Sequence, residues 1–166
     1  EEYFAYEESI VGLAEYFNGE IFDMAGGSEN HSSISQNLSR EIGVRLGKGE
    51  CRVHGTDFRL RIDLANAHVR PDVWVICGKS EYHLGRKDTA KNAIFVAEVQ
   101  SESTTAFDHN GKFDNYLLVP SLREYVLIEQ HTPQVDVYFK NDEGILEFRR
   151  FSDLAEEVFF QSLGCS

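Results

Sequence analysis

The sequence predicts a mixed α/β domain, a central sheet flanked by helices, and three patterns predict it. Apolar residues recur at helical spacing between about His31 and Leu46. Val69 to Cys77 and Asn92 to Gln100 are nearly continuous apolar runs, as in strands buried on both faces. Asp57 to Asp63 alternates, with Phe58, Leu60 and Ile62 set to point inward. At 166 residues and 42% apolar, the whole chain, 1–166, has the size and the core of one ordinary domain.

The elements follow in order. Glu7 to Phe17 carries Ile10, Val11, Leu13, Ala14 and Phe17 at helical spacing, and Asn18-Gly19 ends it as a turn. Glu20 to Ala25 reads as a short strand, broken by Gly26-Gly27. Ser28 to Asn30 offers caps for the long helix, whose Ile34, Leu38 and Ile42 share a face. Glu50 to His54 begins a series of strands that continues through the three runs above, with a polar loop at 78–91. Ser103-Thr104-Thr105 opens a helix that runs to about Val119 and stops near Pro120. Arg123 to Gln130, Gln134 to Lys140 and Ile145 to Phe151 read as three more strands, and a short helix or coil closes the chain.

Composition narrows the function. No run of about 18 apolar residues is present, so nothing is expected to span a membrane. The start, Glu1-Glu2-Tyr3-Phe4, is neither basic nor apolar enough for a signal peptide. Cys51, Cys77 and Cys165 lack CxxC spacing and are odd in number. The expectation is buried, reduced thiols in a cytoplasmic protein. The net charge of −12 means that contact with nucleic acid must be local, because phosphate binding needs positive charge. Arg59, Arg61, Arg70, Lys79, Arg86, Lys87 and Lys91 surround Asp72 in the sequence and are either that local patch or ordinary solvated charge. There is no P-loop, dinucleotide fingerprint or Gly-x-Ser-x-Gly elbow, and the histidines show no zinc spacing.

Asp72 and Glu98 each interrupt an apolar run. A buried carboxylate is costly unless it is paired, protonated or bound to metal. Alternation places Asp72 on the face of Trp74 and Ile76, and Glu98 on the face of Gln100. If the strands are neighbours, Asp72 and Glu98, with the Gln100 side chain or the Val99 carbonyl, could converge on one Mg²⁺. Such a cation activates water and neutralises charge at phosphorus. Two acids at strand ends are the plainer alternative.

The chain resembles the Uma2 family of restriction-endonuclease-like proteins within the PD-(D/E)XK nuclease superfamily. The resemblance runs from about Tyr16 to Lys140 and rests on Asn18-Gly19-Glu20-Ile21, Met24-Ala25-Gly26-Gly27 with His31, and Arg70-Pro71-Asp72-Val73. It continues through Ala97-Glu98-Val99-Gln100-Ser101, Ser103-Thr104, Asp108 with Lys112-Phe113 and Tyr116, and Pro120 to Val126. It implies a restriction-endonuclease-like mixed central sheet flanked by helices, and Mg²⁺- or Mn²⁺-dependent hydrolysis of DNA through a metal-bound water. Pro71-Asp72 matches the PD element and Glu98 the second acid, but Gln100 stands where the motif has lysine. The resemblance implies that Lys112, on the following helix, supplies that charge with Gln100 assisting; otherwise Lys112 only pairs with Asp108, four residues earlier. His31 and Glu20 match the family pattern as further metal ligands, or else serve as a helix cap or core contact and as an orienting group. A catalytically inactive binding or regulatory module on the same fold is the alternative function, and a metal hydrolase of another kind a third. A homodimer would suit a duplex substrate, with Val135 to Phe139 or Phe159-Phe160 as the contact.

Overall fold

The structure, a computed structural model, describes residues 2–100 and 111–166. In chain order its elements are α1 (Glu2–Ser9), β1 (Ala14–Phe17), β2 (Glu20–Asp23), α2 (Glu29–Leu46), β3 (Cys51–His54), β4 (Arg59–Ile62), β5 (Ala67–Val69), β6 (Val73–Cys77), β7 (Thr89–Ala90), β8 (Phe95–Gln100), α3 (Phe113–Leu117), β9 (Glu124–Glu129), β10 (Val135–Lys140) and β11 (Leu146–Phe151). A single 3₁₀ turn lies at His83–Gly85. The mixed α/β class expected from the sequence holds. The expected helix start at Ser103 to Thr105 and the partner Asp108 lie outside the described residues.

The strands divide between two sheets. The larger has the order β11-β10-β9-β8-β6-β3, antiparallel except for the parallel pair β8–β9. The smaller has the order β2-β1-β5-β4-β7. Alternation gives the large sheet two apolar faces. Val73, Val75, Phe95, Ala97 and Val126 point toward Ile42 and Leu38 of α2. Trp74, Ile76, Val96 and Tyr125 point toward Leu60, Ile62 and Val69 of the small sheet and Tyr116 of α3. β6 and β8 are covered on both sides, which is why their sequences read as unbroken apolar runs.

Two expectations are corrected. The helix expected over Glu7 to Phe17 is α1, ending at Ser9, followed by strand β1. Asn18 and Gly19, at φ 45° and 111°, form the two-residue turn of the β1–β2 hairpin, in which Phe17 pairs with Glu20. Asn-Gly is the pair best suited to a turn that needs positive φ twice. Cys51 and Cys77, expected to be reduced, are joined as a disulfide, and Cys165 is free. The β3–β6 register sets the two cysteines directly opposite each other, a pairing that sequence spacing does not reveal. Among the described residues, no helix is long and apolar enough to cross a membrane.

α1 is held by charge. The Glu7 carboxylate accepts from Arg70 Nη2 at 2.6 Å and Nε at 2.9 Å, and also pairs with Arg59. Burial pushes Glu7 up, but the hydrogen bonds from Arg59 and Arg70 outweigh it and hold the carboxyl below its usual range. Arg59 extends to Asp88 at 2.7 Å, and Arg61 and Lys91 both reach Asp63. Five of the seven basic residues flanking Asp72 in sequence are therefore committed to acids within the fold: Arg59, Arg61, Arg70, Arg86 and Lys91. Lys79 and Lys87 are exposed.

Removing one partner of a buried pair leaves the other charge uncompensated. Glu7→Ala should cost about 3–5 kcal/mol in urea unfolding, and Glu41→Ala, on the exposed face of α2, should leave the midpoint nearly unchanged. Thiol titration of the unreduced, denatured chain should read one free thiol, Cys165, and all three cysteines after reduction. Three thiols before reduction would contradict the cross-strand bond.

Candidate active site

Strand pairing builds the site. β6 and β8 run antiparallel with Val73 opposite Ala97, so the next step of that register sets Asp72 across from Glu98. The two acids bind each other's backbone. Asp72 Oδ2 accepts from the Val99 N–H at 2.8 Å, and Glu98 Oε2 accepts from the Asp72 N–H at 3.3 Å.

Lys112 is the third member. Its Nζ lies 3.5 Å from Glu98 Oε1 and 3.1 Å from Glu15 Oε2. Tyr116, one helical turn later, donates its hydroxyl to the same Glu98 oxygen at 2.6 Å. Residues four apart on a helix share a face, so Lys112 and Tyr116 grip Glu98 together. Glu15, Glu98 and Lys112 are all buried. Glu15 arrives on β1, which the pairs Tyr16–His68 and Phe17–Ala67 hold against β5. Its other oxygen accepts from the Arg70 N–H at 2.8 Å. Arg70 thus links the α1 ion cluster, through its guanidinium, to the site, through its backbone.

His31 closes the other side. Its Nε2 is 3.1 Å from Asp72 Oδ2. Ser28 caps α2, its hydroxyl accepting from the His31 N–H at 3.1 Å. Gly27 makes room for the ring: a Cβ there would fall 2.7 Å from His31 Nδ1. Any larger residue at position 27 would push the imidazole from its place beside Asp72. His31 and Asp72 line a cleft of about 1070 Å³ between the first half of α2, residues 24–27 and the 55–57 loop.

Of the residues proposed from sequence, the fold brings Asp72, Glu98, Lys112 and His31 together. Gln100 sits one alternation beyond Glu98, buried on the same face, its carbonyl accepting from Gln130 Nε2 at 2.9 Å. Glu20 does not join the group: it is exposed in β2. Its place is taken by Glu15 on the paired strand, a residue sequence reasoning missed. The signal that could have found it is the Asn18-Gly19 hairpin turn, which makes residues 14–17 a strand.

The electrostatics follow from crowding. Burial pushes Glu98 up to about 8; Lys112 and the Tyr116 hydrogen bond oppose the rise, and the Asp72 and Glu15 carboxylates add to it. Burial and the Glu98 carboxylate push the Tyr116 hydroxyl well above its ordinary range. Glu98 is thus a carboxyl short of positive charge, and it is at the same time fixed in orientation.

A carboxyl with a higher pKa folded than unfolded keeps a proton that the unfolded chain has already released. Between about 4.5 and about 8, stability attributable to Glu98 therefore falls as pH rises. The slope from this one group is at most about 1.4 kcal/mol per pH unit. Glu98→Gln should flatten the decline across that window in urea unfolding. Parallel profiles for the two proteins would contradict the assignment.

Comparison with known proteins places the chain in a family. The Uma2 family, described as "Putative restriction endonuclease", matches residues 1–163. Two relatives come from Synechocystis sp. (strain ATCC 27184 / PCC 6803 / Kazusa). The uncharacterized protein slr1290 is 38% identical over 146 residues, covering 87% of this chain and 75% of its own. The uncharacterized protein sll1609 is 35% identical over 139 residues, covering 84% and 78%. Among solved structures, a protein of Anabaena variabilis ATCC 29413 described as "a putative nuclease belonging to DUF820" superposes with a TM-score of 0.76. It covers 95% of this chain and 88% of its own at 16% identity, a likeness of fold.

Proposed function

We propose that this chain, which belongs to the Uma2 family, is an endodeoxyribonuclease of the PD-(D/E)XK type that hydrolyses DNA phosphodiester bonds with the help of Mg²⁺ or Mn²⁺. The observation that carries the reading is Lys112: its ammonium lies against Glu98, which stands across from Asp72. Two acids and a lysine so arranged support such a site, with Lys112, from the segment before α3, giving the charge that the motif's lysine would give at the position Gln100 occupies.

The chemistry of Asp72 and Glu98 suits a divalent cation, and they would be its two carboxyl ligands; among the described residues no group of three or more His, Cys, Asp or Glu is arranged to hold one. Glu98 is raised by burial and by its acidic neighbours, and a cation would offset both. Asp72 and Glu98 would hold it through oxygen, the ligand type that Mg²⁺ requires. The cation supplies activation of water and charge neutralisation at the phosphate. Lys112 then orients the attacking water and stabilises the charge that develops on the phosphoryl oxygens. Glu15 and Tyr116 act through these groups, Glu15 by fixing Lys112 and Tyr116 by fixing Glu98. His31 fixes Asp72 from the cleft side.

The cleft suits a phosphate backbone despite the net charge of −12. From Asn30 to Arg40 the sequence has no acid. Ser32, Ser35, Gln36, Asn37, Ser39 and Arg40 line the cleft beside Asp72. Hydroxyl and amide groups of this kind, with one arginine, bind DNA phosphates without demanding a basic protein.

One observation favours a second reading, a binding or regulatory module without turnover: Asp72 Oδ2 is already engaged by Val99 and His31. Cleavage of supercoiled plasmid, paired with Mn²⁺ calorimetry, separates the two. A nuclease cuts only with divalent cation, and Asp72→Ala, Glu98→Ala and Lys112→Ala each lower the rate by about 100-fold or more. Asp72→Ala also abolishes Mn²⁺ binding. Cleavage that survives Asp72→Ala sinks the nuclease reading. Mn²⁺ binding without cleavage of any DNA supports the module.

A further inference from the structure

The large sheet has an open edge. β11 ends the strand order, and among the described residues no strand lies beyond it. The hairpin bond from the Asn141 N–H to the Ile145 carbonyl fixes the pattern of the β10–β11 ladder. Pairs that exchange hydrogen bonds recur at every second position from there, at Phe139–Glu147 and Val137–Arg149. Leu146, Phe148 and Arg150 therefore turn their N–H and C=O groups outward. The Lys140 N–H, which donates to the Arg123 carbonyl of the other neighbour, confirms the phase.

Edges of this kind are usually blunted by proline, bulges or inward charges, because they template pairing. β11 has no proline and no bulge, and its charges Glu147 and Arg149 pair with each other within the strand at 3.4 Å. It pairs with β10 over six consecutive positions without a bulge. Phe148 is half exposed, and Leu146 and Ile145 are exposed beside it. Arg150, the charge that could guard the edge, is drawn back: its Nε and Nη2 both reach the Asp136 carboxylate of β10 at 2.7 Å. A row of rings leads from the interior to the edge, Tyr125 to Phe113 to Tyr138 to Phe148, with the last two centroids 4.9 Å apart.

We propose that β11 is a dimer interface and that its occupant is β11 of a second copy, antiparallel about a two-fold axis through Phe148. The segment is self-complementary in this register alone. Phe148 meets its own copy, and Glu147 meets Arg149 of the second chain, twice over. The outward N–H and C=O groups of Leu146, Phe148 and Arg150 fall in register as hydrogen-bonded pairs. A two-fold axis uses one edge from each chain, so the assembly closes as a dimer with one continuous sheet. β10, where the sequence suggested a contact, has a strand on each side, so its backbone cannot serve as an edge. The inference does not rest on the nuclease reading.

Sedimentation velocity on the protein, with far-UV circular dichroism as the folding control, tests it. The wild type should sediment as a dimer, with twice the 18.9 kDa of one chain. Phe148→Pro deletes an N–H that the β10 ladder does not use, so it should leave the fold intact and raise the dimer dissociation constant by about tenfold or more. Glu147→Arg or Arg149→Glu alone should weaken the dimer and the double exchange should restore it, a rescue that also decides the matter if the proline variant unfolds. A wild type that stays monomeric throughout overturns the proposal and leaves the edge to a strand of another protein. So does a dimer indifferent to all three substitutions, or an open-ended assembly.

Discussion

One ammonium group sits among three carboxyls. Lys112 lies within ion-pair distance of Glu15 and Glu98, and Glu98 in turn accepts from the backbone of Asp72. The three residues come from elements far apart in sequence: β1, β8 and the segment before α3. Burying them singly would cost several kcal/mol each; buried together they lower one another's cost. This requirement binds the small sheet to the large one. β1 must lie where Glu15 reaches Lys112, and the Arg70 N–H, held in place by its guanidinium on Glu7, keeps Glu15 there. Charge thus runs unbroken from α1 to the mouth of the cleft, where His31 meets Asp72.

The balance is incomplete, and the incompleteness is chemical. Burial first, and then the Asp72 and Glu15 carboxylates, hold Glu98 up at about 8 against the pull of Lys112. A fully matched network would be a structural core and nothing more. A buried carboxyl raised in this way marks Glu98 as the group, among the described residues, whose charge is least compensated, which is why the proposed function is built on it. The nearby wall of α2 carries no acid over the eleven residues from Asn30 to Arg40, in a chain of net charge −12.

Much of this was legible in the sequence, for reasons that can be named. Asp72 and Glu98 stood out because each broke a run that only a doubly covered strand would carry, and β6 and β8 prove to be neighbours with the acids opposed. α2 followed from its periodicity and its cap. Lys112 was reachable only through family resemblance, since a lysine on a helix carries no local signal. Glu15 carries no such signal, because Leu13, Ala14 and Phe17 also fit helical spacing and Asn18-Gly19 suits a helix end as well as a hairpin turn. Glu20 followed from the family pattern alone, and it is exposed on the neighbouring strand β2. The Cys51–Cys77 bond was illegible because strand register, not spacing, brings the two sulfurs together.

The fold and the chemistry meet at one testable point, the position of Lys112 relative to the two acids that face each other across β6 and β8. A crystal of this protein grown with Mn²⁺ and measured at the manganese absorption edge tests it most directly. The account predicts an anomalous peak bounded by carboxyl oxygens of Asp72 and Glu98, with Lys112 Nζ still directed at Glu98. No peak between those acids, or a lysine swung away from them into solvent, would contradict it.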